Sequence, residues 1–475
     1  MQAIRFVIED VRFAERDVTL RLPFRFGSTT VQACPQAYAR VRIRLENGAT
    51  AHGCAAEMMI PKWFDKDPRL TQDQNIEQLR EALAMARDAY LSDPAPDTAW
   101  GHFARHYSGI LATAQSRGLP PLAAAYGPAV LDRALFDAVC HGLRLGFAQA
   151  MSANAAGMRT EGTGLADDLR EFDLAAFLAA HPSSLSGRRI AARHTVGLAD
   201  ALVERPAAAP QDGLPCTLTQ TLARYGHRYF KLKLAGDAAA DVARLADIAG
   251  VLGDAMHLVT LDGNEQYRDA DHLTEFFEAF ERHAGLASLR SRLAFIEQPM
   301  ARARTLDSDV GALGRRIPLL IDESDATLDA FPRARAMGYT GVSSKSCKGF
   351  YKSVLNAARC ALWSRETGRA YFLSGEDLTM QAGLGIQQDL ALVGWLGLRH
   401  VERNGHHYVN GMAASPEPEQ AAFLQGFPQL YERSDGAVRL SISDGEIDLS
   451  DLDCPGFATG AAAGHVSWDA MRPAD

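Results

Sequence analysis

The chain has no CxxC pair, no long basic run and no uninterrupted apolar stretch of membrane-spanning length. Its seven cysteines (Cys34, Cys54, Cys140, Cys216, Cys347, Cys360 and Cys454) are scattered, which argues against a cysteine zinc cluster and a disulfide framework and predicts a reducing, cytoplasmic setting. A net charge of -9 without a basic stripe leaves no electrostatic footprint for nucleic acid or an anionic membrane, so a small molecule is the expected partner. The opening "MQAIRFVIEDVRFAERDV" alternates apolar and charged residues and has no continuous apolar core, which predicts a first strand rather than a signal peptide. What is present is a chain of 475 residues, 47% hydrophobic, enough for two or three domains and one large barrel.

Alternation from Phe6 to His52, with "ENG" as a turn, predicts a small antiparallel sheet, and "IEQLREALAMARDAYL" and "PAVLDRALFDAVCHGLRLGFAQAM" carry helical periodicity. Strands followed by helices predict an α+β first domain over residues 1–188. From Ile190 a different unit recurs: a short apolar segment ending in polar residues, then a helical segment. The segments "YFKLKL", "HLVTLDGN", "LAFIEQP", "PLLIDES", "GVSSKSCK" and "AYFLSGED" place Lys233, Asp262, Glu297, Asp322, Lys348 and Glu376 at successive spacings of 29, 35, 25, 26 and 28 residues. That period predicts βα repeats closing into a barrel over residues 189–411, with the polar residues at the strand ends where barrel active sites form. Residues 412–475 form a third segment.

Asp262, Glu297 and Asp322 end three successive predicted strands. Three neighbouring carboxylates repel unless a cation binds them, and an all-oxygen set suits Mg²⁺, with Mn²⁺ as a substitute. Unrelated surface acids are the competing explanation, weakened by the repetition on consecutive strands. Lysines flank the arc: Lys231 and Lys233 before it, Lys345 and Lys348 after it. Strands two and six face each other across a barrel, so Lys233 and Lys348 are expected to reach opposite faces of one bound molecule. Such a pair suits abstraction of a proton α to a carboxylate, provided that a cation stabilises the resulting enediolate.

The series "FKLKL", "LDGN", "FIEQP", "LIDES" and "SKSCKG" resembles the enolase superfamily, and its lysines on the sixth strand are most similar to the muconate lactonizing enzyme subgroup. The resemblance implies a modified TIM (β/α) barrel with an α+β capping domain built from the N-terminal region and the returning tail. It further implies Asp262, Glu297 and Asp322 as metal ligands, Lys233 and Lys348 as the acid/base pair, and Lys231 as a partner of the base or of the substrate carboxylate. Asn264, Glu323, Lys345 and Glu376 are expected around them as supporting or substrate-contacting groups. Cap loops around Phe24, Arg25, Glu57 and Trp63 are expected to set specificity, and a homo-oligomer acting on a carboxylate is implied. The outcome is left open among racemisation or epimerisation, dehydration and cycloisomerisation. A Schiff-base aldolase-like barrel and a noncatalytic metal-binding barrel are the rival readings.

The chain departs from the family pattern in places. Gly349 is followed by Phe350 rather than a second glycine, and neither a His/Asp dyad of the mandelate racemase type nor an Asp-x-Asp strand of the dipeptide epimerase type is visible. His102 and His106, spaced i, i+4, are expected on a solvated helix face rather than on a metal. The glycine-rich "AGLGIQQ", Ala382 to Gln388, is expected as a backbone wall of the pocket, and His406 and His407 as part of a polar loop or as donors at the pocket mouth.

Overall fold

The computed structural model describes residues 3–474. Three antiparallel strands, β1 (Phe6–Phe26), β2 (Thr29–Leu45) and β3 (Thr50–Met58), form the first sheet. Alternate residues such as Val11, Phe13, Val41 and Ile43 are buried, as expected for a sheet with one covered face. Pairing between β1 and β2 breaks between Thr19 and Phe24. Pro23 in that gap has no N–H for the ladder, and the chain resumes with Phe24 turned toward the second domain.

Three helices cover the sheet: α1 (Gln72–Leu91), α2 (Ala99–Ser116) and α3 (Pro121–Leu143). Thr71 and Gln74 close a reciprocal capping box at the start of α1. Nearly every residue of α3 is buried, because it lies between the sheet, α1 and the barrel. Its approach is so close that a Cβ on Gly127 would lie 2.0 Å from the carbonyl oxygen of Ala82 in α1. The stretch holding α2 contradicts the expected solvated face for His102, which is buried against the Phe6 ring with Nε2 3.0 Å from the Phe6 carbonyl oxygen. His106 instead packs on Tyr90, so the two imidazoles make no metal pair.

Eight parallel strands follow: β4 (Arg189–Val196), β5 (Tyr229–Lys233), β6 (Leu258–Asp262), β7 (Leu293–Glu297), β8 (Leu319–Ile321), β9 (Gly341–Ser344), β10 (Phe372–Gly375) and β11 (His400–Arg403). They pair in order, and β11 pairs with β4, so the sheet closes into a barrel with helices outside. Leu232, Leu261, Ile296 and Ile321 face the helices in one apolar cluster, which turns the alternate residues inward.

After β11 the chain makes a hairpin, β12 (Tyr431–Ser434) and β13 (Ala437–Leu440). A short strand β14 (Glu446–Asp448) then adds antiparallel to β4, and β15 (Arg472–Pro473) adds to β1. The tail therefore touches both the barrel and the first sheet.

Candidate active site

Period-two alternation puts Lys231 and Lys233 on the inner face of β5, and the barrel register sets Lys233 beside Asp262 and Asp262 beside Glu297. Asp322 follows β8 directly. All are at most 7% exposed. Lys231 Nζ lies 3.0 Å from Asp262, 2.8 Å from Glu297, 2.9 Å from Glu376 and 3.0 Å from Glu402. Burial alone would lower this ammonium, but the four carboxylates outweigh it and hold Lys231 well above the ordinary lysine range. Lys233 Nζ donates to Asp262 Oδ2 at 2.6 Å, and Lys345 Nζ to Asp322 Oδ2 at 2.8 Å.

The acids respond to the same neighbours. Burial, with Asp262 and Glu376 alongside, pushes the Glu297 carboxyl well above its usual range. Burial also works against the Asp322 and Glu402 carboxylates, yet Lys345 and Lys348 hold the first, and Lys231 and Lys233 the second, well below that range. Glu297 Oε2, Glu323 Oε2 and Asn264 Oδ1 are buried oxygens without a hydrogen-bond partner. Unsatisfied acceptors beside a carboxylate array form a donor set that fits a hard divalent cation. Asp262, Glu297 and Asp322 are the residues that would hold it. Their oxygens are parted here by the ammonium groups of Lys231 and Lys345.

The loops that carry these acids are held under strain. Asn264 at φ 40°, Glu265 at φ 72° and Gln298 at φ 31° are non-glycine residues in the left-handed region, just beyond Asp262 and Glu297. Asn264 N–H donates to Asp262 Oδ1 at 2.9 Å, which orients that carboxylate. Gln298 ties β7 to β8: its Oε1 accepts from the Asp322 and Ser324 backbone N–H groups at 2.9 and 3.0 Å. Asn264 Nδ2 reaches Glu323 at 3.2 Å.

One cavity gathers Phe24, Trp63, Lys231, Lys233, Asp262, Asn264, Asp322, Lys345 and Glu402. The volume open to the centre of a water molecule is about 20 Å³, room for one water-sized occupant. A substrate of several heavy atoms therefore needs the covering segments to move. Phe24 and Trp63 form the cover: Lys233 Nζ is 5.9 Å from the Phe24 ring and Lys345 Nζ 4.3 Å from the Trp63 ring. Arg25 is exposed and Glu57 is buried elsewhere, paired with Arg133 Nη2 at 2.9 Å, so neither lines the cavity. Burial pushes the Glu57 carboxyl up to about 7.

Of the two lysines after β9, the cavity is lined by Lys345 and not by Lys348. Lys348 Nζ turns to the Asp322 carbonyl oxygen at 3.1 Å, to Asp322 Oδ1 at 3.2 Å and to Asp325 at 3.3 Å, and the side chain lines a separate apolar void with Lys352. Glu376 lies below the cavity floor, held by Arg193, Ser374 and Lys231. The segment from Ala382 to Gln388 is buried but lines no part of this cavity; Gly385 abuts the Ala56 carbonyl in β3.

Glu402, at the end of β11, is a cavity residue that the sequence reading passed over. Its signal was available, since "HVER" repeats the apolar-then-charged unit 26 residues beyond Glu376.

Residues 217–389 match the family described as enolase C-terminal domain-like. No curated protein sequence matches the chain. Among solved structures, a muconate lactonizing enzyme from Pseudomonas fluorescens complexed with muconolactone is 16% identical, covering 95% of this chain and 95% of that one at a TM-score of 0.57. The L-Ala-D/L-Glu epimerase from Bacillus subtilis is 16% identical, covering 95% and 98% at a TM-score of 0.55. An enolase from Bradyrhizobium complexed with magnesium and mandelic acid is 15% identical, covering 97% and 98% at a TM-score of 0.57. At these identities the likeness is one of fold.

Proposed function

We propose that this chain, whose residues 217–389 match the enolase C-terminal domain-like family and whose fold is similar to that of muconate lactonizing enzymes, is an enzyme that abstracts the proton α to a substrate carboxylate and directs the resulting enediolate. The observation that carries this reading is that Lys233 and Lys345, from opposite sides of the acidic arc, line one cavity. When bound by Asp262, Glu297 and Asp322, Mg²⁺ would supply charge stabilisation to the substrate carboxylate and to the enediolate.

The chain's own residues do the rest. Lys233 Nζ takes or returns the proton on one face of the substrate, and Lys345 Nζ does so on the other. We assign this second role to Lys345 in place of Lys348: both amines contact Asp322, but Lys345 lines the cavity while Lys348 lines the neighbouring void. Lys231, held charged by its four carboxylates, keeps the floor of the site neutralised and orients Glu297 and Glu402. Phe24 and Trp63 exclude water above the two amines, which protects the carbanionic species from stray protonation. Two opposed amines suit epimerisation first; β-elimination and cycloisomerisation use the same first step.

Solvent deuterium incorporation into a library of carboxylic acids tests the assignment. Lys233→Ala and Lys345→Ala are each expected to lose exchange on one face by roughly 10²- to 10⁴-fold, the usual contribution of a positioned acid or base. Exchange that survives in both variants would end this reading. Loss in Lys348→Ala with retention in Lys345→Ala would move the second role back to Lys348.

A further inference from the structure

On the outer side of the barrel, His194 occupies the face of β4 opposite to Arg193 and Thr195, whose side chains reach inward to Glu376 and Glu402. His227 lies just before β5, and His406 follows β11. Ligating atoms of these three side chains all lie within 4.8 Å of one another, the one such His/Cys/Asp/Glu group among the described residues. None of the three lines the catalytic cavity.

The hydrogen bonding around this group is incomplete in a particular way. His227 Nδ1 is 3.0 Å from the Ala192 carbonyl oxygen, so it carries the proton, and the lone pair of the neutral ring sits on Nε2. That Nε2 faces His406 Nε2 at 3.2 Å. His194 Nδ1 is buried without a hydrogen-bond partner. Three imidazoles thus crowd one point, with a lone pair of His227 and an unpartnered nitrogen of His194 among them. A carbonyl-anchored Nδ1–H is also the arrangement that commonly orients a metal-binding histidine. Metal–nitrogen distances near 2.0–2.1 Å in tetrahedral geometry place ligand nitrogens about 3.3 Å apart, which matches the His227–His406 separation.

We propose that His194, His227 and His406 form a second metal site, for Zn²⁺ or a neighbouring transition ion, with a water or anion completing the shell on the half-buried His406 side. Imidazole nitrogen suits such ions, whereas the all-oxygen arc inside the barrel suits Mg²⁺, so ligand chemistry sorts the two metals. Burial, with the nearby His407 adding to it, lowers His227 to about 4 and holds His194 and His406 well below the ordinary histidine range. The ion would tie β4 to the segments flanking β5 and β11, across the seam where the first and last barrel strands pair. It acts there as a clamp on closure, separate from the reaction.

The test uses the full chain, stripped with a chelator, resupplied with excess Mg²⁺ and titrated with Co²⁺ as a visible probe. One equivalent is expected to give the strong ligand-field absorption of low-coordinate Co²⁺, to be displaced by one equivalent of Zn²⁺, and Zn²⁺ is expected to raise the unfolding midpoint. His406→Ala should weaken binding at least tenfold and abolish the absorption, while Asp322→Asn should retain it. Wild-type protein without the absorption, or absorption lost in Asp322→Asn and kept in His406→Ala, overturns the proposal. Should His406→Ala fail to fold, the wild-type stoichiometry and the Asp322→Asn spectrum decide by themselves.

Discussion

Lys231 is a single ammonium among four buried carboxylates, and its removal leaves Asp262, Glu297, Glu376 and Glu402 without their common partner. Breaking a buried ion pair from one side typically costs about 3–5 kcal/mol, because the remaining charge stays desolvated. Lys231→Met is therefore expected to lose stability of that order in EDTA and clearly less in saturating Mg²⁺, as read by urea unfolding in the two buffers. An equal loss in both would mean that charge compensation is not what this amine supplies. The residue scale is also where the sequence was hardest to read. "FKLKL" identifies two inward lysines by alternation alone, since a strand has a fixed period. "SKSCK" does not separate Lys345 from Lys348, because β9 ends at Ser344 and the chain then turns through a short 3₁₀ segment with no fixed inward face. What distinguishes them in the fold is that Lys345 packs under Trp63, a contact between distant parts of the chain that no local motif encodes.

Among the secondary-structure elements, the βα repeat was legible because six successive strands, β5 to β10, end in or are soon followed by a charged residue at spacings of 25 to 35 residues. The sequence around His102 and His106 reads as a solvated helix face, but in α2 His102 serves β1 and Phe103 the barrel-side Tyr351, contacts made with distant parts of the chain. Helix α3 shows a further consequence of burial on every side: Asp132 is enclosed, accepts from Tyr90 Oη at 2.7 Å, and burial pushes its carboxyl up to about 8. Its unfolded value is about 3.9. Between those values the folded chain holds more protons than the unfolded one, so stability falls as pH rises through the window, by at most about 1.4 kcal/mol per unit. Asp132→Asn removes that dependence. The variant's unfolding midpoint, taken relative to wild type, is expected to climb from pH 5 to pH 8; a constant offset would refute the assignment.

For the whole molecule, the site lies between two domains joined by polar bridges. Lys66 reaches Glu265 at 2.5 Å and the Asn264 carbonyl oxygen at 2.9 Å, while Arg302 donates to the Trp63 and Phe64 carbonyl oxygens at 2.8 and 2.9 Å. The segment around Trp63 is thereby fastened to the loops that carry Asn264 and Glu265. A loss of about 1.4 kcal/mol changes an opening equilibrium tenfold. Lys66→Met is expected to speed backbone amide exchange across residues 60–67 by about that factor and to leave β4–β11 as they were, measured by hydrogen-exchange mass spectrometry. Uniform change across the chain would mean a general loss of stability instead.

The cavity beneath Phe24 and Trp63 has room for one water. In the proposed reaction, a substrate larger than water would enter and leave by parting the Lys66 and Arg302 bridges. On that proposal the fastening would share control of turnover with proton transfer, and a substrate's arrival would be gated rather than set by diffusion. Added salt, by loosening a bridge whose lysine is 27% exposed, should quicken entry even for a substrate that carries charge.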